Sequence, residues 1–164
     1  VSVAQDIWAT YYAPGTVFER LFRRGPGEDR ALAYLMGACL VLFIAQMPRL
    51  AREAHLSGED LNALMGGALM GLIFVAPLLF YGLAWLSFLL AKLMGGQGTG
   101  WHARTALFWA LLASGPLVLL HGLVAGFIGP GLEQTLVGAV WFGAFMWFWG
   151  FGLWRGQRGS AAPV

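Results

Sequence analysis

The side chains that could do chemistry in this chain are few. Of its three histidines, His55, His102 and His121, only His121 falls deep inside an apolar run, LVLLHGLVAGF. An ionisable group at such a position is a functional candidate, because a charge in hydrocarbon is costly. Three chemistries would use it. Haem ligation needs a second axial ligand at similar depth, and His55 and His102 fall outside the apolar runs on opposite sides. A bacteriochlorophyll ligand wants a small residue four positions earlier, where the macrocycle approaches, and that position holds Leu117. A proton relay wants a carboxylate companion in the apolar run, and none is there. The remaining expectation is a neutral imidazole bonded to a hydroxyl or backbone carbonyl of a neighbouring helix, for example a carbonyl freed by Pro116.

Other reactive groups form no set. The apolar runs hold no carboxylate pair, no serine near both a histidine and an acid, and no metal-ligand spacing. Ser87 and Ser114 lie in apolar helical contexts, where a hydroxyl bonds its own backbone. Cys39 is the sole cysteine, which excludes an intrachain disulfide. The glycine-rich run MGGQGTG (94–100) lacks the lysine and preceding strand of a phosphate-binding loop, so nucleotide binding is not expected. A net charge of +2 gives no basic patch for nucleic acid. No catalytic, cofactor or metal residue is assigned, and no cofactor is expected.

What must position these residues is a membrane bundle. Hydrophobic residues make up 59% of the 164 and charged ones 11%, under half the charged fraction of a soluble domain. The charges avoid four apolar segments, predicted as spans at about residues 31–47, 65–93, 103–128 and 135–154. Gln46 and Pro48 should end the first. Residues 49–64 then read as an amphipathic connection that Leu50, Ala54 and Leu61 could pack onto the membrane surface as a short helix, with a break at Ser57-Gly58 and a second cap before Glu59. The second and third spans exceed the bilayer's need and carry mid-span prolines, Pro77 and Pro116, expected as kinks. The short Gly-Pro-Gly connection at 129–131 makes the last two spans antiparallel neighbours.

Before the first span, Val17, Phe18, Leu21 and Phe22 fall on one helical face, with Glu19, Arg20, Arg23 and Arg24 on or beside the other. That pattern predicts an amphipathic helix lying in the membrane interface, anchored by Ile7, Trp8, Tyr11 and Tyr12. No cleavable signal peptide is expected, since residues 1–30 lack a continuous apolar core and carry four acids. The expected fold class is all-α: a polytopic integral membrane helical bundle of four transmembrane helices plus the N-terminal interfacial helix. Its divisions are an arm (1–30), a membrane domain (31–154) and a disordered tail (155–164).

Two glycine pairs, Gly67/Gly71 and Gly122/Gly126, have the GxxxG spacing that lets helix backbones touch. The fourth span interleaves glycines with Trp141, Trp147 and Trp149, which marks it as an interface candidate. Basic residues give the orientation. Arg20, Arg23, Arg24, Arg30, Lys92, Arg104, Arg155 and Arg158 share one side of a four-span chain, leaving Arg49 and Arg52 on the other. Both termini are therefore expected in the cytoplasm.

GGQGT at 95–99 opens a helix, and a small-residue pair before proline (Ser114, Gly115, Pro116) follows at a distance that resembles the Yip family, the Ypt/Rab-interacting membrane proteins and their bacterial relatives. Looser matches are the P-x-x-V-F-x-x-L run from Pro14 to Leu21 and the Trp-rich last span. The resemblance implies an all-helical membrane bundle with a cytoplasmic N-terminus, commonly of five spans where four are counted here. Eukaryotic members are linked to small GTPases and vesicle trafficking. The Gly/Trp-rich composition is closer to a bacterial member, to which no GTPase role carries over. Absent chemistry and several small-residue faces point to a non-enzymatic protein of the bacterial inner membrane. Its expected role is scaffold, assembly factor or accessory subunit of a larger complex, respiratory or photosynthetic for example. Its expected partners are lipids and other integral membrane proteins. The alternative is a small-solute or lipid transporter.

Overall fold

A computed structural model of the chain describes residues 2–158. The tail expected at 155–164 therefore lies mostly outside the described residues, and its first three residues continue the last helix. Among the described residues every regular element is a helix.

Helix α1 (Val3–Tyr12) begins at a reciprocal cap. The Ser2 hydroxyl accepts the Gln5 N–H at 3.2 Å, and the Gln5 side chain accepts the Ser2 N–H at 3.1 Å. Helix α2 (Pro14–Arg23) opens on a proline, which loses no helical bond at the first position. Helix α3 (Glu28–Ser57) is 30 residues long and stops at Gly58, whose φ of +74° is the left-handed cap that glycine takes without strain. Helix α4 (Leu61–Met70) starts where the Asp60 carboxylate accepts the Asn62 N–H at 3.1 Å. It continues through a π-helical turn (Gly71–Val75) into helix α5 (Ala76–Leu93), making one apolar rod of 33 residues. Helices α6 (Gly100–Ala113) and α7 (Gly115–Phe127) meet at a 45° bend, and helix α8 (Leu132–Gln157) completes the bundle.

Three of these units, α3, the α4–α5 rod and α8, are long and apolar enough to cross a membrane, and the α6–α7 pair makes a fourth when the two bent helices are counted as one span. One boundary differs from the sequence reading. Pro48 does not end the first span: α3 runs through it to Ser57. A proline removes only one i→i−4 bond, and here its backbone is held against α7 at Gly126. The segment expected as a separate surface connection is thus largely an extension of α3. At Pro77 the ladder widens instead of breaking, and the Ala76 N–H reaches the Gly71 carbonyl five residues back.

Helix α6 is the centre of the molecule. Eleven of its fourteen residues are buried, Trp109 and Phe108 among them. Helices α3, α5 and α8 and the α1–α2 hairpin surround it. Its bend follows from Ser114-Gly115-Pro116. Pro116 has no N–H for the helical bond, and Gly115 lets Val41 of α3 close in, 3.2 Å from where a Cβ would stand.

The N-terminal arm belongs to this core. The apolar stripe of α2 meets protein where a lipid-facing surface was expected. Val17, Phe18 and Leu21 are buried, Phe18 lies on Gly152 of α8, and Phe22 packs edge-on to His102 and Trp101 of α6. An amphipathic pattern specifies an apolar neighbour without specifying lipid or helix. Of the aromatics expected as anchors, Trp8, Tyr11 and Tyr12 are all exposed, Tyr11 the least, its ring meeting Phe148 edge-on.

Candidate functional site

Three places collect the polar side chains that the apolar sequence leaves over. The first is the bend at mid-bundle. Termination of α6 leaves the Ala113 carbonyl without a helical partner, since the Leu117 N–H goes to Ser114 instead. The Tyr11 hydroxyl donates to that carbonyl at 2.7 Å. Burial raises the Tyr11 phenol above its ordinary value, which keeps it a donor. One turn away, the Trp109 indole N–H donates to the Thr10 hydroxyl at 3.1 Å, and that hydroxyl donates to the Asp6 carbonyl at 2.7 Å. The Asp6 carboxylate meets Arg20 at 2.7 Å, tying α1 to α2. The Ser114 hydroxyl donates to the Leu111 carbonyl at 2.9 Å and accepts the Trp141 indole N–H at 3.2 Å. These groups satisfy one another and expose no nucleophile. Ser87 likewise spends its hydroxyl on the Ala84 carbonyl, and Cys39 is buried and free.

The second place is the glycine-rich hinge between α5 and α6. The Gln157 side chain accepts the Gly98 N–H at 3.0 Å, and the Gln157 carbonyl accepts the Gln97 N–H at 2.9 Å. A Cβ on Gly98 would overlap the Gly156 carbonyl, and one on Gly96 would stand 2.8 Å from the Gln157 carboxamide oxygen. The glycines are there so that the end of α8 can press against the hinge. Thr99 then caps α6. Its N–H and hydroxyl lie 3.2 Å and 2.9 Å from Nδ1 of His102, which makes Nδ1 the acceptor and puts the ring proton on Nε2. This is a capping box with histidine in place of glutamate, a signal the sequence carried in Thr99-x-x-His102. Beside the hinge, Arg104 forms a two-pronged pair with Glu28, its Nε 3.1 Å from Oε2.

The third place surrounds His121. A pocket of about 270 Å³ lies between α3, α7 and α8, where His121, Gln46, Arg49 and Gln134 converge. The imidazole rests beside Gly138 of α8, close to where a Cβ would be. It makes no hydrogen bond among the described residues, so the expected partner of His121 is not found there. Among the described residues no group of three His, Cys, Asp or Glu side chains could hold a metal ion.

The helix-contact candidates divide. Gly122 and Gly126 sit in the α3–α7 crossing: a Cβ on Gly122 would overlap the Ala45 carbonyl, and one on Gly126 would meet the Pro48 backbone. Arg52 reaches over this crossing to the Gly126 carbonyl at 3.3 Å. Gly67 and Gly71, in contrast, have nothing within 4 Å of a Cβ, and neither do Gly66 and Gly82. Trp141 and Trp149 stack on either side of Phe145 along α8, with ring centroids 6.1 and 5.7 Å away. Trp147 faces outward, 64% exposed.

The start of α3, the end of α8 and the hinge gather at one end of the bundle, joined by Arg104–Glu28, Arg155–Glu19 at 3.7 Å and the Gln157 clasp. That end carries the eight basic residues named above against Asp6, Glu19, Glu28 and Asp29. The other end carries Arg49 and Arg52 against Glu53, Glu59, Asp60 and Glu133. No family model, no curated protein and no solved structure matches the chain.

Proposed function

We propose that this chain is a non-enzymatic membrane subunit that works by binding another integral membrane protein along the outer face of the α4–α5 rod. One observation carries the reading. No residue of α4 or the π-helical turn is buried, and α5 buries only Ala84 and Ser87. The outward side of this rod presents Phe74, Leu78 and Leu79 beside glycines with open space over them. Small residues on an uncovered apolar helix allow a second helix to approach at backbone distance, which is how transmembrane helices associate without a hydrophobic driving force. The role is scaffold, assembly factor or accessory subunit of a larger complex, respiratory or photosynthetic for example. The basic end supports a bacterial inner-membrane placement with both termini cytoplasmic. The GGQGT hinge and the Ser-Gly-Pro bend keep bacterial-type Yip membership within this reading.

Affinity purification in mild detergent tests it. Gly67→Leu with Gly71→Leu should abolish a co-purifying membrane protein, while Gly143→Leu on the equally open face of α8 should retain it. Retention by both variants, or a chain that purifies alone throughout, would overturn the reading. The pocket around His121 favours a second reading, transport of a small solute, for which His121→Ala would have to remove a measured flux.

A further inference from the structure

A cavity lies away from the rod's glycine face, between the last turns of α5 and α8. We propose that it holds one acyl chain of an anionic phospholipid from the leaflet at the basic end, with the lipid phosphate meeting Arg158. The proposal goes beyond the partner-binding reading and rests only on membrane insertion.

The cavity measures about 600 Å³ and is lined by Leu90, Met94, Trp149, Leu153 and Trp154. That volume is within the roughly 300–1,000 Å³ of sites that enclose small apolar ligands. Leu90, Leu93 and Met94 beside it are exposed apolar side chains on a helix end, a surface that suits hydrocarbon and not water. One polar feature distinguishes the groove from plain lipid-facing surface. Arg158 lies 3.9 Å from the Trp154 ring centroid and has no carboxylate within 4 Å among the described residues.

Five of the other seven basic residues at this end are engaged; Arg24 and Lys92, like Arg158, have no acidic partner among the described residues, and of these three only Arg158 lines the groove. Arg20 is paired with Asp6, Arg23 with Glu19, Arg104 with Glu28, and Arg155 with Glu19. Arg30 is spent on the carbonyls of Arg24 and Gly25. Two helix C-termini point toward the groove, and bare carbonyls there would repel a phosphate. They are covered: Leu90, Ala91 and Lys92 accept the N–H groups of Met94, Gly96 and Gly95, and Gln157 accepts that of Gln97. Trp154 beside the arginine is the residue type that settles at headgroup depth.

The full chain, exchanged into mixed phosphatidylglycerol and phosphatidylcholine and examined by native mass spectrometry, tests this. The expected result is retention of phosphatidylglycerol over phosphatidylcholine. Arg158→Gln should reduce that preference about fivefold, the effect of one basic residue at an anionic surface. Leu153→Trp should fill the groove and remove retention of both lipids. Circular dichroism of each variant checks that the bundle is intact; Arg158 is exposed, so its variant reads out even where Leu153→Trp fails to fold. Equal retention of the two lipids by the native chain would overturn the proposal, as would unchanged preference in Arg158→Gln. A co-purifying protein lost on Leu153→Trp with lipid retention unaltered would assign the groove to a partner helix instead. Loss of the partner in Gly67→Leu/Gly71→Leu leaves this result untouched, so the two readings fail separately.

Discussion

Adding one methyl group at the α3–α7 crossing is a sharp test of the bundle. In Gly122→Ala the new Cβ falls on the Ala45 carbonyl oxygen, 2.7 Å from its carbon and 3.0 Å from Cα. Carbon atoms in contact sit at about 3.5–4.0 Å, so α7 must retreat from α3 by roughly 1 Å. The obstructing atoms are backbone, and no rotamer change relieves them. Forced expansion of a packed interior costs about 1–3 kcal/mol. Alanine returns about 0.5–1 kcal/mol as the better helix former. The net loss is about 1–2 kcal/mol, or about a tenfold shift in the folding equilibrium. Gly67→Ala is the matched control, because its methyl enters open space and only the propensity gain remains. Unfolding in mixed micelles, followed by circular dichroism, should give opposite signs for the two variants. If Gly122→Ala unfolded at or above the native midpoint, or Gly67→Ala lost as much as Gly122→Ala, the helix arrangement would be wrong.

Three further outcomes follow from buried hydrogen bonds and close approaches. Thr10→Val removes the acceptor of the Trp109 indole N–H and should cost about 1–3 kcal/mol, the penalty for an orphaned buried donor, read as a lower midpoint in the same unfolding assay. Gly152→Leu places a side chain where Phe18 lies, 2.5 Å from the Cβ position. It should release α2 from α8, with trypsin then cutting at Arg20, Arg23 and Arg24 while the remaining helices resist. Gln157→Ala breaks the clasp on the hinge, and amide exchange at Gly98 should rise at least severalfold while α6 stays protected.

The apolar units and the bend at Pro116 were legible because each rests on a local rule: an apolar run of spanning length, or a residue without an N–H. What was not legible depended on a neighbour. Pro48 reads as a stop, yet α7 holds the helix together there through Gly126. The stripe of α2 reads as a lipid face, and only the fold shows Gly152 and Gly156 of α8 receiving it. Gly67/Gly71 and Gly122/Gly126 have identical spacing, but only the second pair is in contact within the chain. His121 reads as a partnered imidazole, yet the fold leaves it without a hydrogen bond among the described residues, in a pocket between α3, α7 and α8. The hinge glycines read as no phosphate loop, and only the fold shows their use, clearance for Gln157.

The measurement closest to the central claim is site-specific photo-crosslinking in native membranes, with the reactive side chain at Leu78, 75% exposed on the rod, or at buried Phe108. The account predicts a crosslink from Leu78 to one integral membrane protein, lost when Gly67→Leu is added, and only intrachain products from Phe108. Lipid adducts alone at Leu78, or a protein crosslink indifferent to Gly67→Leu, would contradict it.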